Sequence, residues 1–177
     1  MNRISIPNLL IIAGTGSKSI RTDMACRIIS RLNSRAVAVK ITPHYHELTE
    51  GVTEIMNGKG YSIREETDAG SSKDTSLMLK AGAARSFLIS AWKADMEDVF
   101  IKFMALFPSS VPVVCDSITL RNHIEPGLFI LMVSDKAEKR DDEKHLADYK
   151  HLPFNPEAFD ENEILKIRFE GGRWTCD

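Results

Sequence analysis

Between Asn8 and Arg27 the chain reads NLLIIAGTGSKSIRTDMACR: an apolar run, a turn around Gly14 and Gly16, then a polar stretch holding Lys18, Arg21 and Thr22. An apolar strand that passes through glycines into a helix aims several backbone N–H groups, and the positive end of the helix dipole, at one point. That arrangement binds anions, phosphate above all. In a phosphate loop, Gly, four residues, Gly-Lys and Ser or Thr supply backbone amides, a cation for the terminal phosphates and a hydroxyl for Mg2+. Here the residue types are present without that spelling, and three registers are open. Taking Ser17-Lys18-Ser19 as the Gly-Lys-Ser step keeps the lysine but sets Ile12 at the first glycine. Starting from Gly14 sets Ser19, Ile20 and Arg21 at the last three positions. Ending on Ile20-Arg21-Thr22 keeps a cation and a hydroxyl but sets Thr15 and Ile20 at the glycines, where a β-branched side chain is costly if φ must be positive. The last register is preferred because Thr22 then caps the next helix. The candidate ligand-binding residues are Gly14, Thr15, Gly16, Ser17, Lys18, Ser19, Arg21 and Thr22. The bland alternative is an ordinary strand-to-helix turn whose glycines only permit the bend.

Asp116, directly after the apolar run VPVVC, stands where phosphate-loop enzymes keep an acid that holds Mg2+ through water. Thr22 and Asp116 are therefore the candidate metal residues, and Asp116 with Arg21 the candidate catalytic pair, Arg21 or Lys18 neutralising developing phosphate charge. His44-Tyr45-His46, with Glu47 and Glu50, follows the second apolar strand. Two histidines at i and i+2 on an extended segment share one side and could ligate zinc. No Cys/His pair adds the missing ligands, so a polar loop lining the crevice is the simpler reading. Ser71-Ser72-Lys73-Asp74-Thr75 precedes a helix and reads first as a cap, or else as Lys73 and Asp74 facing the crevice to bind phosphate or Mg2+-bound water. Arg121, His123 and Glu125 read as a surface turn, and Cys115 as a core thiol.

These residues need elements to position them. Leucines and isoleucines from Asn8 onward predict a buried strand. Met24, Ile28 and Leu32 predict a helix over Asp23 to Leu32, and AVAVKI from Ala36 to Ile41 a second strand. Two apolar strands joined by a helix imply a parallel pair. A helix over Ser72 to Ala84, a strand over Ser86 to Ala91, an amphipathic helix over Ala94 to Phe107 and strands over Val111 to Cys115 and Gly127 to Ser134 follow. The expected fold is α/β, three-layered, with a mostly parallel sheet and helices on both faces. One domain is expected over 1–177, with a loop excursion at 43–72 carrying at most a short strand near Tyr61 to Arg64. A solvated segment from Asp135 to Lys150, an edge strand over Ile164 to Phe169 and a frayed tail at 171–177 complete it. Ligands of such sheets bind outside the carboxyl ends of the strands, where the loop after Ile12, the residues after Ile41 and Asp116 would converge.

Composition excludes several classes. The net charge is −2 over 177 residues, with both signs interspersed, so neither a basic stripe for nucleic acid nor a charged arm is present. Cys26, Cys115 and Cys176 form no Cys-x-x-Cys pair, which fits a reducing cytosol. The apolar N-terminal run is too short for a signal peptide or a membrane span. The expectation is a soluble, cytoplasmic protein.

The centre of the chain is similar to a known family. VKITPHYHELTEG and, after the excursion, GSSKDTSLMLKAGAARSFLI resemble the molybdopterin-guanine dinucleotide biosynthesis adaptor proteins, with Lys40, Thr42, His44, Lys73, Asp74, Ala81, Gly82 and Ala83 matching in order. Cys115-Asp116-Ser117 stands where the family has Val-Glu-Gly, and the resemblance spans about Leu9 to Val133. It implies a phosphate-loop NTPase-like fold, GTP as ligand, Mg2+, dimerisation and a protein partner, the enzyme that attaches GMP to molybdopterin. The departures are the altered phosphate loop, the shorter Asp116 and the insertion from Glu47 to Gly70, which speak against GTP hydrolysis. The sequence thus predicts a protein that binds GTP or another phosphorylated small molecule, the alternative being a scaffold that keeps the fold and binds a protein partner.

Overall fold

The computed structural model describes residues 3–14, 18–44, 49–134, 145–158 and 160–177. Its main sheet is built on six parallel strands, β1 (Ile4–Gly14), β2 (Val37–Thr42), β5 (Arg85–Ala91), β6 (Val113–Asp116), β7 (Ile124–Met132) and β8 (Leu152–Phe154). A hairpin of β3 (Val52–Gly58) and β4 (Tyr61–Glu66) continues it antiparallel from β5. The resulting order is β3-β4-β5-β2-β6-β1-β7-β8.

Strand β1 shows why the middle of this sheet reads as continuous apolar sequence. Leu9, Ile11 and Ala13 enter one core cluster and Leu10 and Ile12 the other, and all five are fully buried. A strand covered on both faces cannot afford alternation. The covers are helices α1 (Lys18–Ser30) and α2 (Asp74–Lys80) on one face and α3 (Met96–Met104) on the other. The chain steps from β1 to β2 in one direction and from β5 to β6 in the opposite one. Right-handed crossovers then put the two connecting helices on opposite faces. Met24, Ile28 and Ile29 of α1 accordingly pack with Met78 of α2, while Met96, Val99, Phe100 and Phe103 of α3 pack in the other cluster. Phe103 sits edge-on to Phe87 of β5 at 5.2 Å between centroids. Burial of such a side chain contributes about 1.5–3 kcal/mol each. The expected α/β architecture, with a mostly parallel sheet between helical layers, is what forms.

Four expectations need correction. The helix expected from Asp23 begins at Lys18 and closes through Asn33 (φ 50°) and Ser34 (φ 57°), left-handed residues that end helices. The excursion at 43–72 contains the β3–β4 hairpin. It was hidden because β3 is largely exposed and because three inward residues of β4, Ser62, Arg64 and Glu66, are polar although buried. The stretch expected as an edge strand from Ile164 divides into helix α4 (Glu161–Leu165) and strand β9 (Ile167–Glu170). The end of the chain, expected to fray from 171, forms β10 (Arg173–Cys176), which pairs with β9 in a separate two-stranded sheet. Trp174 of β10 is 2% exposed, and its indole N–H donates to the Asn8 carbonyl at 2.9 Å. Of the segment expected to be solvated, residues 135–144 lie outside the described residues, while Leu146 is fully buried. Among the described residues, no helix is long and apolar enough to cross a membrane.

Candidate functional site

The sheet face under α1 and α2 is apolar through Leu10, Ala38 and Val114 and turns polar at the strand ends. Strand register sets the change. Arg64, Leu88, Lys40, Asp116 and Ile12 are neighbours across β4, β5, β2, β6 and β1, and Ser62, Ser90 and Thr42 form the next row across β4, β5 and β2. Lys40 interrupts an otherwise apolar strand on the same face as Asp116, so the two charges must meet.

They meet in a buried network. Asp116 is 1% exposed, and its carboxylate accepts from Arg21 Nε at 3.1 Å, Thr22 Oγ1 at 3.1 Å and Lys40 Nζ at 2.5 Å. Arg21 also donates from Nη1 to the Gly14 carbonyl at 3.0 Å, and Lys40 lies 3.1 Å from Asp74 Oδ2. Two cations thus face two carboxylates, the pairing that makes buried charge tolerable. Thr22 lies inside α1 and not at its first residue, and its hydroxyl donates to Asp116.

Gly14 holds the end of β1 against β7. With φ +139°, a Cβ there would stand 2.0 Å from the Met132 carbonyl oxygen, so only glycine permits this approach. Thr15, Gly16 and Ser17 lie outside the described residues, as do the side chains of Lys18 and Ser19.

Mg2+ between Thr22 and Asp116 does not fit the network as it stands. Both carboxylate oxygens are engaged, and a third positive charge would sit beside Arg21 and Lys40. Like charges about 4 Å apart near a protein surface repel by ~4 kcal/mol per unit pair.

Beside the network, between the hairpin and α2, opens a cavity of about 290 Å3. Lys40 and Asp74 belong to both. Its other charged walls are Arg64, Glu66 and Lys73, so Lys73 and Asp74 line this cavity, Asp74 reaching the network through Lys40. The expected serine cap does not form: Lys73 is the N-cap of α2, and no side chain caps it. Ser76 instead accepts from Ser71 N–H at 3.1 Å.

His44 is exposed, and its backbone N–H donates to Thr42 Oγ1 at 3.2 Å. His46 and Glu47 lie outside the described residues, among which no group of three or more His, Cys, Asp or Glu could hold a metal. Arg121 is no surface residue but 2% exposed, paired with Glu125 at 2.7 Å and stacked 4.3 Å from the Tyr149 ring centroid. Burial pushes the fully enclosed Cys115 thiol well up, as befits a core residue. Burial, then Asp23, Asp74 and Asp116, raises Cys26 to about 11. Arg64 and Glu66 were not singled out from the sequence; the available signal was a charge pair inside a short strand. No family model, no curated protein and no solved structure matches the chain, so its function has to be read from this site.

Proposed function

We propose that the chain binds a phosphorylated small molecule, with a purine nucleotide such as GTP the first to test, where β1, β2 and β6 end. The observation that carries this is the buried Arg21–Asp116–Lys40 network at the start of α1. A phosphate arriving there meets the helix N-terminus, the planar fork of Arg21 and the ammonium of Lys40. It takes the place of Asp116 as their partner, so neither cation is left unpaired, while Asp116 keeps the Thr22 hydroxyl, a desolvation cost that the phosphate contacts have to outweigh. Choosing GTP rests on the resemblance to the adaptor family, as does a role beside a guanylyl-transferring enzyme. Because Asp116 is already neutralised by two cations, hydrolysis assisted by a metal at that carboxylate is not part of the reading.

Thermal shifts with GTP, ATP and their diphosphates, with and without Mg2+, test it. Ligand at a hundred times its Kd adds about 2.7 kcal/mol, which for a chain of this size raises Tm by roughly 5–11 °C. The rise should fall to about half or less in Arg21→Met. Flat curves for every nucleotide would reject the reading. They would favour a second one, a scaffold for a protein partner, which the self-contained pairing of Asp116 motivates.

A further inference from the structure

On the sheet face that carries Lys40 and Asp116, the row beyond them is Thr42 of β2, Ser90 of β5 and Ser62 of β4. Ser90 is 3% exposed and Ser62 fully buried, yet among the described residues neither hydroxyl has a hydrogen-bond partner. The two are cross-strand neighbours and do not bond each other. A buried hydroxyl left unpaired is costly, and folded proteins keep few of them. Ser90, unlike Ser62, lines a pocket of about 250 Å3 at the carboxyl ends of β2 and β5. The other walls are Pro43, Tyr61, Ala91 and Trp92, with Gly58 and Gly60 of the hairpin turn. Among the described residues, no charged side chain lines it. Trp92 is anchored there: its backbone N–H donates to the Gly60 carbonyl at 3.0 Å, and a Cβ on Gly60 would stand 2.7 Å from the indole. The turn thus supports the ring on one side, while Trp92 stays 58% exposed. An anchored, open indole and a partnerless hydroxyl meet in one pocket, and the fold uses neither.

We propose that this pocket binds a planar, uncharged ring with a hydrogen-bonding edge, the chemistry of a purine base, stacked on Trp92 and bonded by Ser90 Oγ. Every base offers a π-face to an aromatic side chain. A serine hydroxyl both donates and accepts, so it answers either kind of ring atom. The uncharged lining suits a neutral ring, since a charged one would enter without a counterion. At about 250 Å3 the pocket falls below the ~300 Å3 at which whole small-molecule sites begin, room for a ring and not for a nucleotide. Ser90 lies two strands and two residues from Asp116, about 12 Å along the sheet. That separation is within the reach of one nucleotide whose phosphates meet Arg21. The link to a nucleotide rests on the phosphate reading; the ring site does not.

Of the two tryptophans, Trp174 is 2% exposed, so acrylamide quenching of the fluorescence reports on Trp92. The full chain is titrated with inosine and adenosine, which carry no phosphate, and with ribose as the control for the sugar. The expected result is saturable protection from acrylamide by at least one nucleoside, with Kd below about 10 mM, and none by ribose. Ser90→Ala should weaken that binding at least ~5-fold. Because the lost hydroxyl has no partner in the fold, the variant should melt no lower than the wild type, so weaker binding is not a loss of folding. Trp92→Leu, followed by calorimetry, should weaken nucleoside binding at least ~5-fold as well. Arg21→Met should leave the protection within ~2-fold. No saturable protection by either nucleoside, protection matched by ribose, or binding unchanged in both Ser90→Ala and Trp92→Leu would overturn the proposal. None of these outcomes touches the phosphate reading, which stands or falls separately on GTP and Arg21.

Discussion

Replacing Asp116 by alanine should destabilise the protein by about 3–5 kcal/mol, the usual cost of leaving buried charge without its partner. Asp116 is 1% exposed and receives three donors. Without it, among the described residues Arg21 keeps its bond to the Gly14 carbonyl and Lys40 its pairing with Asp74. A cluster of balanced charge gains one uncompensated positive charge in the interior. For a chain of this length each kcal/mol moves Tm by about 2–4 °C, so calorimetry should show a fall of about 6–20 °C. Urea unfolding should show a lower midpoint at unchanged slope. The double variant Asp116→Ala with Lys40→Met gives a sharper test. Removing the lysine as well restores charge balance, so the double variant should lose less than the sum of the two single losses, by roughly 0.5–3 kcal/mol. A loss under about 1 kcal/mol in Asp116→Ala, with strict additivity to Lys40→Met, would refute the network as a stabilising unit.

Other consequences lie further from the site. Trp174→Ala should cost about 3–5 kcal/mol by chemical unfolding, because the buried indole leaves a cavity against β1 and the Asn8 carbonyl loses its donor. Cys26, raised to about 11 from the usual 9.0, should react with iodoacetamide roughly 100-fold more slowly than a free thiol at pH 8, its rate still rising above pH 9. Burial, reinforced by Arg3 and Lys93 and opposed by Glu97, lowers His123 below its usual 6.5. The folded state therefore binds fewer protons than the unfolded chain just below that value, and stability is lost as pH falls from 6.5 through the lowered pKa. His123→Gln should flatten that slope in unfolding measured from neutral to acid pH.

Much of this architecture was legible because fully buried strands announce themselves. Leu9 to Ala13 and Val113 to Cys115 are apolar without a break, since helices cover both of their faces. The amphipathic face of α3 was equally plain. The β3–β4 hairpin was not, for its inward Ser62, Arg64 and Glu66 are buried polar residues, the last two of which line a cavity. A strand that lines a site lacks the alternation by which strands are recognised. The tail was misread for a related reason: Trp174 is one large side chain among small and polar ones, and its burial depends on Asn8, 166 residues away. Within the site, Asp116, Arg21, Thr22 and Asp74 could be singled out from their positions at element ends. That Lys40 joins Arg21 and Thr22 on Asp116 required the register of β2 against β6, which no local pattern encodes.

The central claim is that Arg21 and Lys40 give up Asp116 for a phosphate. Calorimetric titration of GTP into the wild-type chain and Arg21→Met, once in EDTA and once in Mg2+, addresses it most directly. The account predicts saturable binding near one-to-one in EDTA and at least a ~10-fold weaker Kd in Arg21→Met. No heat from GTP, nor from ATP or the diphosphates, in either buffer would contradict it. Binding that appears only with Mg2+ and survives Arg21→Met would contradict it as well.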